Sequence, residues 1–302
     1  MRILWREHRF RGVDGTDLYY RIAGARQKRW AVLCDGIGCE GYMWRYITPQ
    51  LLKAGYKVLH WNYPGHGLSQ KAQDPNAIGI EDFSAHLRLL CDELNVRRPL
   101  LVGHSMGVQV SLQAWRDGMD VEGLGLVFGA AGRLLDQYGG NDRLGRYLPA
   151  IRKALAARKD LFGLFWRMVV PTRVGLALGL MTELNAMRIR PADFMPYLER
   201  LSAMDPEDFF AILARAAEHD ARPWLADIHV PTLILAGDSD SFTPPKLSQA
   251  MHASLPDSRL VILPGASHAG PLEFPEELGE HLGDFLEELT ARRAQAKRKS
   301  KS

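Results

Sequence analysis

The chain has 302 residues, enough for a full hydrophobic core and a modest second element. Hydrophobic residues make up 46% and charged residues 24%, an ordinary soluble globular balance. Three scattered cysteines, Cys34, Cys39 and Cys91, exclude a disulfide scaffold and a paired C-x-x-C metal pattern, and the formal charge of +3 excludes a strongly polyanion-seeking body.

Residues 1–10 hold no apolar signal core, which reads as a cytoplasmic chain. Residues 17–22 follow a Gly-Val-Asp-Gly turn and suit a strand, and residues 30–34 are a stronger, buried one. After Gly36, Gly38 and Gly41 the pattern at 42–53 predicts a helix ending at Gly55. A strand restarts at 56–61 and runs into the turn-rich loop at 62–69. Phe83, Leu87, Leu90, Cys91 and Leu94 share one helix face; a short apolar strand precedes residue 103, a packed helix follows 105, and 121–128 is the next buried run. Strand and helix thus alternate from 30 to 129, which calls for a mostly parallel sheet with helices on both faces.

The alternation stops between 133 and 222, too long a stretch for a simple connection. This segment is Leu-, Ala- and Met-rich and is divided by Pro149, Pro171, Pro191, Pro196 and Pro206, with helices expected near 160–170 and 208–219. Its most membrane-like part, 161–181, is interrupted by Arg167, Pro171 and Arg173 and cannot be an uninterrupted spanning helix, though it can be a peripheral one. Strands at 230–237 and 259–263 flank a helix near 245–255, and Leu278, Leu282, Phe285, Leu286 and Leu289 share the face of the last helix. From Ala291 to Ser302 there are six basic residues and no acid, leaving the other 290 residues at −3. That end reads as a disordered, solvated tail with at most weak, salt-sensitive attraction to anionic lipid; no zinc module or basic patch accompanies it to suggest nucleic acid. The expected organisation is a core of 1–132 and 223–290, a helical cap insertion at 133–222, and a basic tail at 291–302.

The motif that carries chemistry is Gly103-His104-Ser105-Met106-Gly107, a G-x-S-x-G pentapeptide between a strand and a helix. A sharp strand-to-helix turn exposes a serine hydroxyl, and the flanking glycines let the backbone make it. Ser105 is therefore the candidate nucleophile; a helix N-cap would explain its hydroxyl but not the paired small residues. A nucleophilic serine needs a base, and the base needs an orienting acid. His268, in a small-residue loop past a strand end, is placed to be that base. The acid belongs in the loop after the preceding strand, where Asp238 and Asp240 are chemically equivalent on residue type alone. His104 reads as structural, His66 and Ser69 as parts of a shaped turn, and Cys39 has only proximity to suggest a role. Trp166, Met168, Met181, Met187 and Met195 read mostly as cap packing, with some free to line an acyl pocket.

Taken together, the glycine turn after Cys34, the Pro64-Gly65-His66-Gly67-Leu68-Ser69 loop, the pentapeptide, the Gly237-x-x-Asp240 segment with Thr243-Pro244 and the His268 loop resemble the α/β-hydrolase superfamily, in particular its capped serine esterases and lipases. The resemblance covers roughly 28–130 and 228–290 and implies an α/β-hydrolase fold with an inserted helical cap. It implies Asp240 as the acid, with Asp238 as runner-up, and an oxyanion site made of the backbone N–H groups of Ile37 and Met106. The family often has histidine where this chain has Asp35, whose carboxylate can anchor the turn through backbone bonds or repel an anionic substrate.

The implied activity is hydrolysis of a carboxylic ester with an apolar portion, through an acyl-enzyme, without metal or organic cofactor and with a small-molecule ester, lipid-like in one version, as partner. A thioesterase or lactonase would use the same residues, and a carbon–carbon bond hydrolase or cofactor-free haloperoxidase is reachable from the same superfamily. The rival of another class is a catalytically silent binding protein on the same fold. Ser105 argues against the superfamily's epoxide hydrolases and haloalkane dehalogenases, which use a carboxylate nucleophile.

Overall fold

The computed structural model describes residues 3–74, 78–132, 143–182 and 184–299. Eight strands form one sheet: β1 (Arg6–Arg11), β2 (Asp17–Ala23), β3 (Arg29–Cys34), β4 (Tyr56–Trp61), β5 (Leu100–His104), β6 (Gly123–Val127), β7 (Thr232–Gly237) and β8 (Ser258–Leu263). Their spatial order is β1-β2-β4-β3-β5-β6-β7-β8. β1–β2 and β2–β4 pair antiparallel, and every pairing from β4 to β8 is parallel. The connections supply α1 (Ile47–Lys53), α2 (Ile80–Glu93), α3 (Met106–Arg116) and, beyond an insertion, α9 (Pro245–Ser254). This is the α/β-hydrolase architecture, a mostly parallel sheet covered on both faces and bearing a helical cap.

Burial on both faces explains why the strands read as continuous apolar runs. Along β3, Ala31 and Leu33 enter one cluster with Ile47 and Leu51 of α1, while Val32 and Cys34 enter the other with Phe83 and Leu87 of α2. The first cluster is closed by Leu278, Leu282, Phe285, Leu286 and Leu289 of the last helix, which runs over Pro275–Lys299. No helix among the described residues is long and apolar enough to cross a membrane.

Three local readings differ from expectation. β1 has a single buried residue, Phe10; it is a polar edge strand without the alternation that would reveal it. The stretch 42–53 is a 3₁₀ turn at Tyr42–Trp44 followed by α1, because Gly41 enters the turn at φ 79° and the chain then buries Trp44. The basic end at 291–302, expected to be disordered, is helical as far as Lys299, and residues 300–302 lie outside the described residues. Ala, Arg, Gln and Lys are strong helix formers, and Arg292 ties the helix down through Glu288 at 2.7 Å and Asp257 at 2.5 Å.

The insertion between β6 and β7 holds α4 (Arg143–Ala157), α5 (Lys159–Val169), α6 (Arg173–Thr182), α7 (Pro191–Ala203) and α8 (Pro206–Glu218). Residues 133–142, at the start of the expected cap, lie outside the described residues. Pro191 and Pro206 open α7 and α8, whereas Pro149 and Pro196 lie inside α4 and α7. In α7, burial of Phe194, Leu198 and Leu201 offsets the backbone hydrogen bond that an interior proline removes. The insertion leaves and rejoins the core at one place: Gly132 bridges Asp220, and Ala221 N–H donates to the Ala131 carbonyl at 2.7 Å.

Candidate active site

β5 ends at His104 and α3 begins at Met106, so Ser105 is the whole turn between them. It takes φ 54° and ψ −119°, a conformation costing a non-glycine residue on the order of 1–3 kcal/mol. Its N–H donates to the Val127 carbonyl of β6 at 3.1 Å, which helps hold the turn. A Cβ on Gly103 would overlap the Gly107 carbonyl, and one on Gly107 would overlap the Cys34 carbonyl. The two glycines are thus required by the approach of α3 to β5 and β3. The Ser105 side chain makes no capping bond to α3, so the N-cap explanation of its hydroxyl fails.

The hydroxyl meets His268 instead. His268 Nε2 stands 2.9 Å from Ser105 Oγ, and His268 Nδ1 stands 2.9 Å from Asp240 Oδ2. Asp240 is fixed before it reaches the ring: its Oδ1 accepts the N–H groups of Phe242 and Thr243 at 2.8 Å each, and its Oδ2 accepts the Thr243 hydroxyl at 2.7 Å. Asp238 faces elsewhere, accepting the Gly265 N–H at 2.7 Å and the Ser239 hydroxyl at 2.9 Å. A carboxylate on Nδ1 holds the tautomer that leaves Nε2 able to accept the serine proton.

The imidazole is held on several sides. Phe242 stacks on it at a ring-centroid distance of 5.1 Å and an angle of 28°. His104 lies 5.1 Å away on another side, and its Nε2–H donates to the His268 carbonyl at 3.1 Å. The loop is tied further by buried Glu273, which accepts the Ser267 N–H at 2.9 Å and hydroxyl at 2.6 Å and the Asn185 N–H of the insertion at 2.8 Å. Phe242, Thr243 and Glu273 are supporting residues that sequence reasoning missed; the only sequence signal was the Thr243-Pro244 pair.

Asp35 corrects an expectation. Its carboxylate is buried and takes the Trp44 indole N–H at 2.5 Å and His60 Nε2 at 2.7 Å, while its own carbonyl accepts the Tyr63 hydroxyl at 2.9 Å. It anchors the glycine turn through side-chain donors rather than backbone ones, and it is not among the residues lining the cavity beside Ser105. That turn lies against Ser105: a Cβ on Gly36 would sit 3.1 Å from the Ser105 Cβ. Ile37 follows it and lines the cavity. Met106 is the first residue of α3, so its N–H has no partner within the helix.

The cavity measures about 180 Å³. The core contributes Ile37, Tyr42, Met43, Ser105 and His268, and the insertion contributes Leu184, Phe194, Tyr197, Leu198 and Phe209. The cap therefore covers Ser105 rather than packing on the far side of the sheet. Cys39 also lines the cavity, but burial pushes its thiol well above the usual range, which disfavours the thiolate. His66 donates through Nδ1 to the Pro64 carbonyl at 3.1 Å, and the Ser69 hydroxyl donates to the Asn62 carbonyl at 2.8 Å, so both shape their turn. Trp166 packs inside the cap, but Met168 and Met187 are exposed rather than packed, and the Met181 side chain lies outside the described residues.

Residues 31–280 match the alpha/beta hydrolase family. The chain belongs to that family. This hydrolase is 37% identical over 261 residues to the pimeloyl-[acyl-carrier protein] methyl ester esterase of Neisseria meningitidis serogroup B (strain H44/76), covering 84% of this chain and 92% of that one. Its fold is similar to the crystal structure of a hydrolase from Pseudomonas aeruginosa PA01, with a TM-score of 0.75 and 25% identity over 93% of this chain and 98% of that one. It is also similar to a thermophilic esterase from Thermogutta terrifontis, with a TM-score of 0.75 and 21% identity over 94% and 99% of the two chains. The Ser–His–Asp arrangement in this fold makes the chain a serine hydrolase of the kind that cleaves esters through an acyl-enzyme.

Burial around this hydrolase's histidines gives a measurable pH dependence. Desolvation lowers the His104 imidazole to about 3 and also depresses His66, His86 and His219. In the unfolded chain each binds a proton below about pH 6.5, whereas the folded chain refuses it. Stability is therefore full above that pH and falls as pH drops from about 6.5 toward about 3, where His104 itself protonates. At pH 5.5 His104 alone costs on the order of 1 kcal/mol. Burial raises the carboxyls of Glu40, Asp208 and Glu273, which carry the opposite sign, so the comparison is made where ordinary carboxylates are ionised. The urea midpoint is expected to be lower at pH 5.5 than at pH 7.5, and an unchanged midpoint would contradict the neutral burial of these rings.

Proposed function

We propose that this hydrolase cleaves a carboxylic ester whose acyl part is apolar, with Ser105 as nucleophile, His268 as general base and acid, and Asp240 as the orienting carboxylate. The observation that carries the reading is the 2.9 Å approach of His268 Nε2 to Ser105 Oγ at the wall of an apolar cavity. Ser105 Oγ attacks the ester carbonyl carbon as its proton passes to His268 Nε2. The carbonyl oxygen, now carrying the charge, is held by the N–H groups of Ile37 and Met106. His268 returns the proton to the departing alcohol, leaving the acyl group on Ser105. A water molecule then repeats the sequence, giving the acid and free serine. Asp240 keeps Nδ1 protonated throughout and stabilises the transient imidazolium.

Ile37, Met43, Leu184, Phe194, Leu198 and Phe209 in the cavity wall favour an apolar acyl chain over a charged one. The methyl ester esterase relative supports an oxygen ester over a thioester or a lactone. We assign 133–222 as the cap and 1–132 with 223–290 as the core, supported by the meeting of the insertion's ends at Gly132 and Asp220. The basic end of the last helix contributes only weak, salt-sensitive attraction to an anionic membrane, because Arg292 is already paired with Asp257 and Glu288.

A serine-directed fluorophosphonate, followed by peptide mapping, is expected to label Ser105. In a panel of p-nitrophenyl esters, acyl-CoA thioesters, glycerides and lactones, kcat/KM is expected to favour oxygen esters by at least about 10-fold, a difference of about 1.4 kcal/mol in transition-state binding. An unlabelled Ser105 would refute the nucleophile, and a preference for thioesters or lactones would refute the substrate class.

A further inference from the structure

The helix α5 is apolar on two opposite faces, and among the described residues only one of them is packed. Inward, Trp166 packs on Phe209 and Phe210 at ring distances of 5.7 and 6.2 Å, and Phe162 meets Phe210 at 6.5 Å. Outward, Leu161, Leu164, Phe165 and Met168 are 63%, 57%, 58% and 64% exposed. Their spacing of i, i+3, i+4 and i+7 puts them within an arc of roughly 100°. Tyr147 of α4 and Val174 of α6, from the helices on either side in the chain, are also exposed. Four large apolar side chains in one open stripe are costly unless something covers them.

Charge identifies the cover. Residues 143–182 carry eight Lys or Arg and a single acid, Asp160, a net of +7 in a chain whose total is only +3. Arg158 caps α5, Arg167 lies beside the stripe and Arg173 opens α6, and all three are exposed. Lys159, by contrast, is engaged by Glu207 at 2.6 Å. An apolar stripe set in a cationic surround matches a helix lying flat in the headgroup region of an anionic bilayer. A protein surface of one sign would satisfy the arginines but not the open apolar stripe.

We infer that the outer face of α5 docks this hydrolase onto anionic lipid bilayers, with Leu161, Leu164, Phe165 and Met168 entering the acyl boundary and Arg158, Arg167 and Arg173 meeting the headgroups. The docked helix is one side-chain layer from the catalytic cavity, since Phe209 touches Trp166 on one side and lines the cavity on the other. Resting on the proposed ester hydrolysis, this points to substrates carried in or on a membrane. The docking itself is independent of that reading and is measured without turnover.

The test is sedimentation of the full chain with phosphatidylcholine vesicles and with vesicles containing about a third phosphatidylglycerol, at low and high salt. Binding is expected to the anionic vesicles, to fall several-fold at high salt, and to persist in part because the stripe is inserted. Leu164→Glu with Phe165→Glu is expected to lower partitioning at least 10-fold while hydrolysis of a soluble short-chain ester stays at the wild-type level. Arg158→Gln, Arg167→Gln and Arg173→Gln together are expected to remove the salt dependence. Neutralising Lys297, Arg298 and Lys299 to glutamine is expected to change binding less than 2-fold. Thermal unfolding of each variant separates lost docking from lost folding. Binding unchanged by the two glutamates, or abolished by the terminal glutamines, would overturn the proposal. So would a dimer that the two glutamates split, with no vesicle binding, because the cover would then be a second copy.

Discussion

Replacing Ser105 by alanine is expected to leave the fold intact and to lower kcat at least about 10³-fold. The fold survives because the side chain holds up nothing else: its hydroxyl faces His268 rather than capping α3. The backbone strain at φ 54° is borne equally by alanine, since Gly103, Gly107 and the bond to Val127 impose it from outside the side chain. Activity is lost because alanine has no hydroxyl to stand where Ser105 Oγ meets His268 Nε2 at 2.9 Å. The check is a matched pair of measurements on purified protein, the unfolding temperature and turnover of the best ester. Near wild-type turnover by Ser105→Ala would end the assignment.

The second large effect separates two neighbouring carboxylates. Asp240→Asn is expected to lower kcat by about 10²–10⁴-fold, because an amide cannot both keep the Thr243 and Phe242 donors and accept from His268 Nδ1–H as a carboxylate does. If the amide nitrogen turns toward the ring it stabilises the tautomer protonated on Nε2, which cannot take the serine proton. Asp238→Asn keeps an oxygen for the Gly265 N–H and should stay within about 3-fold, the scale of a surface change of ±0.5 kcal/mol. Steady-state kinetics of both variants decide the matter; a dead Asp238→Asn beside an active Asp240→Asn would reverse the choice.

How much of this was legible depended on whether each requirement was local. Gly103 and Gly107 announce the turn because each answers one close backbone approach, and the alternation of apolar runs announces the sheet because both its faces are buried. His268 is legible by its place after β8. The choice between Asp238 and Asp240 is not decided by residue type, since each finds backbone donors in its loop and only the direction of the second oxygen differs. Contacts spanning the chain leave no periodic trace: Glu273 to Asn185, the Trp44 and His60 donors on Asp35, and Phe242 over His268. β1 escaped because a polar edge strand has no buried face to alternate. The outer face of α5 escaped because composition cannot say which side of a doubly apolar helix the fold leaves open.

The meeting of Gly132 with Asp220, and of Ala131 with Ala221, has a consequence for how such a protein can change over generations. A polypeptide that departs and returns through one doorway makes no demand on the sheet about what lies between. Helices can be lengthened, traded or rewritten there while β6 and β7 keep their register. The reaction and the choice of what it acts on are therefore written largely in different places, one in the loops at the strand ends and the other in the inserted segment, provided that change there keeps ties such as Asn185 on Glu273.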